Sequence, residues 1–143
     1  SLEVHLLVAE HLSGMHENSP PGHINALAIQ SLQAPSVTFW TAWVGGLLCG
    51  CGALKEIGPL TGEIKSMRTR PAFLRRGIGQ AILEEILRVA RQRGYSRVLL
   101  ETGTGPAFEP AHMLYLRNGF EWGDSFGEYT ATDFNVFMVK ALT

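Results

Sequence analysis

A chain of 143 residues, 45% hydrophobic and 17% charged, holds enough material for one domain with one sizeable core. Its formal net charge of −1 gives no global pull toward nucleic acid or an anionic membrane. That balance excludes a disordered chain, and the apolar runs are far too short for a helix to cross a bilayer.

Val4, Leu7, Val8, Leu12 and Met15 follow the i, i+3, i+4 spacing and predict an opening helix. No capping signal precedes it, so an opening strand is read as missing, lost by truncation or by disorder. Asn18-Ser19-Pro20-Pro21-Gly22 breaks the chain, and 24–32 is expected to hold one or two short helical turns. The run from Val37 to Val44 is β-branched and aromatic and predicts a strand, with Phe39, Trp40 and Trp43 as sheet-face core. Gly45-Gly46 is a tight hairpin turn, and Leu47 to Lys55 is the return strand. Gly50 and Gly52 either weaken that strand or allow something to come close to it. Cys49 and Cys51 lie two apart, on one face of a regular strand. They read as small buried apolar residues before they read as a metal pair. They suit a reducing cytoplasm, and no secretory signal pattern opens the sequence.

Ile57 to Thr61 is expected to be a loop, and Glu63 to Thr69 a third strand ended by Pro71. Arg75-Arg76-Gly77-Ile78-Gly79-Gln80 then leads directly into an amphipathic stripe of Ile78, Ile82, Leu83, Ile86, Leu87, Val89 and Ala90. The predicted helix, Gly77 to Arg93, has about four to five turns and is stopped by Gly94. Glu84 stands four residues before Arg88, a favoured surface pair. A helix mouth offers unpaired N–H groups and the positive end of a dipole. Glycines admit a ligand to those groups, and two arginines beside them point to a phosphate-bearing ligand. No Gly-Lys-Ser/Thr closes this turn, and Ile82 stands where a dinucleotide fingerprint needs its third glycine.

Arg97 to Glu101 predicts a short buried strand, and Thr102 to Pro106 a loop. Pro110 suits the first turn of a second helix carrying Ala111, Leu114, Tyr115 and Asn118 on one face and ended by Gly119. Phe120 to Trp122 and Asn135 to Lys140 are the last strands, with a polar loop from Gly123 to Asp133 between them. The five histidines, His5, His11, His16, His23 and His112, show no metal spacing, and no metal is expected. The order of helices and strands is that of a single mixed α/β domain spanning 1–143.

Three spaced elements agree in order with a known pattern. Met67-Arg68-Thr69-Arg70-Pro71, then Arg75-Arg76-Gly77-Ile78-Gly79, then Ala111-x-x-Leu114-Tyr115-x-x-x-Gly119-Phe120 resembles the GNAT N-acetyltransferase superfamily from Leu47 to the C-terminus. The resemblance implies a central, mostly antiparallel, twisted sheet splayed between family strands 4 and 5, here Glu63–Thr69 and Arg97–Glu101. It implies acetyl-CoA as donor, with the pyrophosphate against Arg75, Arg76, Gly77, Ile78, Gly79 and Gln80. The pantetheine arm would pair with the backbone of Met67 and Thr69. It also makes the Met67 N–H the donor to the thioester oxygen, with Arg68 and Arg70 able to steer the phosphates.

By the same resemblance Tyr115 is the general acid at the departing sulfur, and a phenol with a pKa near 10 suits that task. Glu63 matches a carboxylate used as base in some members, with Glu101 as the alternative; either is also simply a surface or ion-paired residue. Two positions depart from the pattern: Leu74 stands in place of an Arg or Gln, and Phe108 in place of an Asn. The implied activity is direct acetyl transfer to a primary amine: a small amine, an amino acid, or a peptide or lysine. A catalytically silent acyl-CoA-binding or regulatory module is the alternative. The acidic loop Glu128-Tyr129 to Asp133 could close over a cationic acceptor, His23 could touch it, and a homodimer is compatible. Nucleic-acid binding through Arg68, Arg70, Arg75 and Arg76 is disfavoured, because the cluster is short and the chain slightly acidic.

Overall fold

The computed structural model describes residues 4–9, 37–124 and 135–142. Among them the strands are β1 (His5–Ala9), β2 (Val37–Val44), β3 (Leu47–Gly58), β4 (Thr61–Thr69), β5 (Arg97–Gly103), β6 (Glu121–Gly123) and β7 (Asn135–Ala141). Helix α1 (Ile78–Gln92) joins β4 to β5, and α2 (Glu109–Arg117) precedes β6. The strands form one sheet in the order β1-β2-β3-β4-β5-β7-β6, antiparallel throughout except where β4 meets β5. The mixed α/β fold and the mostly antiparallel sheet agree with expectation.

The opening strand does not. It was expected to be missing ahead of a helix, yet His5–Ala9 is itself a strand, paired with β2 from His5↔Trp43 to Ala9↔Phe39. Over so few residues, Val4, Leu7 and Val8 fit a helical template by coincidence. Leu6-Leu7-Val8 fits a strand equally well, and the free edge of β2 decides between them. The remainder of the predicted helix, the 18–22 breaker and the 24–32 turns lie outside the described residues.

β3 and β4 are each longer than predicted, so the loop at Ile57–Thr61 shrinks to a turn at Pro59-Leu60 between Gly58 and Thr61. The stripe of α1 is buried as its spacing requires, with Ile82, Leu83 and Ile86 wholly inaccessible. Each such side chain contributes about 1.5–3 kcal/mol of burial. α1 packs on β2, β3 and β4, and Gly50 and Gly52 let it sit low. A Cβ on Gly50 would lie 3.2 Å from Ile78 Cγ2, and one on Gly52 would lie 2.7 Å from Ile82 Cγ2. Close approach is therefore what these glycines provide. On the surface of α1, Arg88 pairs with Glu85 at 2.7 Å rather than with Glu84, which instead accepts from Gln80.

Both helices end in the same way. Past α1, Gly94 is left-handed (φ 79°), its N–H donates to Arg91 O, and the Tyr95 N–H donates to Ala90 O. Past α2, Gly119 is left-handed (φ 90°), its N–H donates to Leu116 O, and the Phe120 N–H donates to Tyr115 O. This double bond pattern brings the residue after the glycine back onto the helix. At α2 it sets the Phe120 ring edge-on to Tyr115, with ring centroids 5.6 Å apart.

Candidate functional site

β4 and β5 run parallel and paired only from Thr61↔Arg97 to Ile64↔Leu100. Beyond that point β5 stays with β7 as far as Gly103↔Asn135, and β4 stays with β3 as far as Thr69↔Gly50. The two strands part, and residues 65–69 of β4 have no β5 partner. Which backbone groups then face the opening follows from strand alternation. The Arg70 N–H donates to Cys49 O at 2.7 Å, and Arg68 O lies 2.6 Å from the position a Gly50 Cβ would take. Those two residues turn their backbone toward β3, so Thr69 between them and Met67 before Arg68 turn theirs toward the gap.

The far end of the gap meets the mouth of α1. Gly77 caps the helix in the left-handed conformation (φ 81°) with no side-chain cap and no acidic residue in the first turn. The first intrahelical bond runs from the Ala81 N–H to Gly77 O, so the N–H groups of Ile78, Gly79 and Gln80 have no earlier carbonyl in the helix. Arg75, also left-handed (φ 62°), and Arg76 are exposed in the turn before it. Consecutive turn N–H groups of this kind form a concavity suited to an anion. Nothing stands within 4 Å of where a Gly77 Cβ would be, so this end of the helix is open. Uncapped donors, two cations and an unpaired strand edge fit a diphosphate carrying an amide-rich arm, which is the chemistry of coenzyme A.

The α2 motif is held against this mouth. A Cβ on Gly79 would lie 3.2 Å from Leu114 Cδ2 and 3.8 Å from Thr69 Oγ1, so β4, α1 and α2 converge there. Gln80 and Asn118 exchange side-chain amide hydrogen bonds of 2.9 and 2.8 Å, and the Asn118 amide also donates to Leu114 O. Tyr115, one residue past Leu114, is buried in the core cluster beneath α1. Burial pushes its phenol up to about 12.

Glu63 is buried at 3% exposure in the closed part of β4, and its carboxylate lies 3.9 Å from Lys65 Nζ. Ile64 belongs to the cluster under α1, and a Cβ on Gly62 would meet Leu54 and Tyr95 of that same cluster. Alternation therefore turns Glu63 to the opposite face of the sheet from Tyr115. Glu101, the alternative, is exposed and accepts a 2.6 Å bond from Asn135 Nδ2.

Other singled-out residues have local work. Arg68 is exposed, but Arg70 donates to Leu48 O at 3.2 Å. Arg76 stacks over the Phe73 ring at 5.9 Å. Phe108, the departure from the family pattern, lays its ring on the backbone of Gly103, where a Cβ would run into it. His112 sits with Nε2 2.8 Å from Gly103 O and its ring edge-on to Trp122. Residues His11, His16 and His23 and the 128–133 loop lie outside the described residues. Among those described, no three His, Cys, Asp or Glu side chains form a metal-holding group, and no helix is long and apolar enough to cross a membrane.

Sequence reasoning did not find the irregularity that precedes the gap. The β3–β4 register moves from Ala53↔Lys65 to Cys51↔Arg68, so β4 carries one extra residue around Ser66, which is left-handed (φ 56°). The alternating glycines of β3 were its one trace in the sequence.

Residues 6–120 match the family model described as acetyltransferase (GNAT) family. The chain is similar to the uncharacterized N-acetyltransferase YsnE of Bacillus subtilis (strain 168), 48% identical, covering 95% of this chain and 90% of that one. It is 47% identical to the uncharacterized N-acetyltransferase YedL of Escherichia coli (strain K12), covering 97% and 87% of the two chains. Its fold is similar to that of a Bacillus subtilis acetyltransferase solved in complex with CoA, with a TM-score of 0.75 at 18% identity over 99% of this chain and 100% of that one.

Proposed function

The chain belongs to the GNAT acetyltransferase family, and from that premise we propose that it moves an acetyl group from acetyl-CoA to a primary amine by direct attack. The observation that carries this reading is the meeting of an unpaired strand edge with an uncapped helix mouth, fastened to the helix that bears Tyr115. Bound there, acetyl-CoA supplies an activated acyl group. The N–H groups from Arg75 to Gln80 and the two guanidiniums neutralise the diphosphate. The Met67 and Thr69 backbones hold the pantetheine amides as a neighbouring strand would, and Arg68 borders that edge.

The chemistry needs negative charge stabilised at the carbonyl oxygen, a proton taken from the amine and a proton given to the departing sulfur. In this reading the Met67 N–H faces the carbonyl oxygen. Glu63 takes the proton of the incoming ammonium, directly or through water, from its side of the sheet. Its burial favours it over Glu101, whose carboxylate is exposed and bonded to Asn135. Tyr115 gives its proton to the leaving thiolate from the other side. With its phenol pushed up to about 12, it stays protonated throughout the working range. The acceptor is a small amine, an amino acid, or a peptide or lysine amine.

The test offers acetyl-CoA with a panel of such amines and follows thiol release. Turnover with at least one amine class, saturable in both substrates, is expected. Saturable CoA binding with no turnover on any amine overturns the enzymatic reading in favour of a silent acyl-CoA-binding module.

A further inference from the structure

We propose that Gly50-Cys51-Gly52 of β3 is the template that sets the bulge in β4, and that Cys51 is a positioning residue for the backbone edge at Met67. The use of that edge rests on the acetyltransferase reading above; the template itself does not.

A left-handed serine inside a strand costs on the order of 1–3 kcal/mol and persists only where its surroundings over-determine it. Three contacts from consecutive residues of β3 do so here. The Cys51 thiol donates to Ser66 O at 3.2 Å, fixing the peptide that turns at the bulge. A Cβ on Gly52 would lie 2.7 Å from Met67 Sδ, so the missing side chain is the space into which Met67 reaches. A Cβ on Gly50 would lie 2.6 Å from Arg68 O, so only glycine lets that carbonyl come against β3. Ser66, Met67 and Arg68 are thus matched in turn by Cys51, Gly52 and Gly50.

The consequence is a change of phase. In a regular strand Ile64 and Met67, three apart, face opposite sides. With one residue inserted, both turn toward α1: Ile64 lies in the core cluster, and Met67 packs against it. The backbone shifts with the side chains, which gives Met67 and Thr69 to the gap just after Ile64↔Leu100, the last β4–β5 pair. The thiol suits this task better than a reactive one. Cys51 is 1% exposed, and burial raises it from 9.0 to about 11, so it remains a donor at the alkaline pH where amine acceptors lose their protons. Cys49, two residues before it, donates to Leu47 O of its own strand and serves as a control.

The experiment compares Cys51→Ala, Cys51→Ser and Cys49→Ala in the full chain by steady-state kinetics and by NMR of Ser66 and Met67. Cys51→Ala is expected to lower kcat about tenfold while KM for acetyl-CoA moves less than about threefold, because the phosphate seat is untouched. Cys51→Ser, which restores a donor, is expected to recover kcat to within about twofold, and Cys49→Ala to match the parent. The Ser66 HN–Hα coupling and the Met67 amide shift should move in Cys51→Ala and return in Cys51→Ser. This readout needs no acceptor, so a parent without turnover defeats the acetyltransferase reading and leaves the template testable. Unmoved Ser66 and Met67 signals in Cys51→Ala, or equal losses in the Ala and Ser variants, overturn the proposal. Gly52→Ala gives an independent arm: its Cβ must displace Met67, and an undisturbed Met67 amide there also overturns it.

Discussion

β4 is one strand with two unlike halves. From Thr61 to Ile64 it is paired on both sides and buried. From residue 65 to 69 it is paired with β3 alone, bulged and partly exposed. The closed half satisfies its hydrogen bonds within the sheet; the open half keeps half of them for something else. The difference is made by withholding a neighbour and inserting one residue, with no special side chain on the open edge. On the proposed reading, a ligand that brings its own amides would complete the sheet there, much as an added strand would.

The largest way to break this contrast lies next to the open half. Tyr115→Phe should lower kcat about a hundredfold, the usual scale for a lost general acid, with CoA affinity nearly unchanged. Steady-state kinetics beside calorimetric CoA titration checks it, and equal losses in both would make the phenol a packing or binding group. The closed half should respond in stability instead. In Gly62→Ala the new Cβ would meet Leu54 Cδ1 at 2.8 Å and the Tyr95 ring at 2.9 Å. Overpacking of that kind costs about 1–3 kcal/mol in denaturant unfolding, while folded molecules keep their CoA affinity. A loss of CoA affinity in that variant, measured on the folded fraction, would show that the halves are not separable.

The smallest effect sharpens the picture in alkali. Cys51 and Tyr115 are both held neutral by burial, raised from 9.0 to about 11 and from 10.0 to about 12. The folded state therefore keeps protons that the unfolded chain releases. Their contribution to stability is complete below pH 9 and is lost as the pH rises through 9–11 for the thiol and 10–12 for the phenol. Thermal melts should show a fall worth roughly 1–2 kcal/mol by pH 10, flattened in a Cys51→Ser, Tyr115→Phe double variant. An equally steep fall in that variant would assign it to other groups.

Much of this was legible in the sequence because the signals were local. The α1 stripe and the run from Val37 to Val44 fix their elements within one window, and Gly94 and Gly119 mark where the helices stop. β1 escapes the reading because the helical spacing of Val4 to Met15 runs across its end, and its identity is decided by the edge of β2. The bulge at Ser66 was invisible because it exists only as a register between two strands. The same holds for Arg70, which looked like a phosphate-steering cation and instead donates to Leu48 O, 22 residues away in sequence. It holds for His112 as well, whose partner Gly103 sits at the end of another element. At the candidate site the parts could be listed from the sequence, but their convergence at Gly79 could not.

The paired amides of Gln80 and Asn118 join positions 38 apart in sequence, one in the first turn of α1 and the other just past the end of α2. They tie the mouth of α1 to the end of α2, so the two helix ends hold one spacing, and Tyr115, three residues before Asn118, is set at a fixed place relative to the uncapped N–H groups.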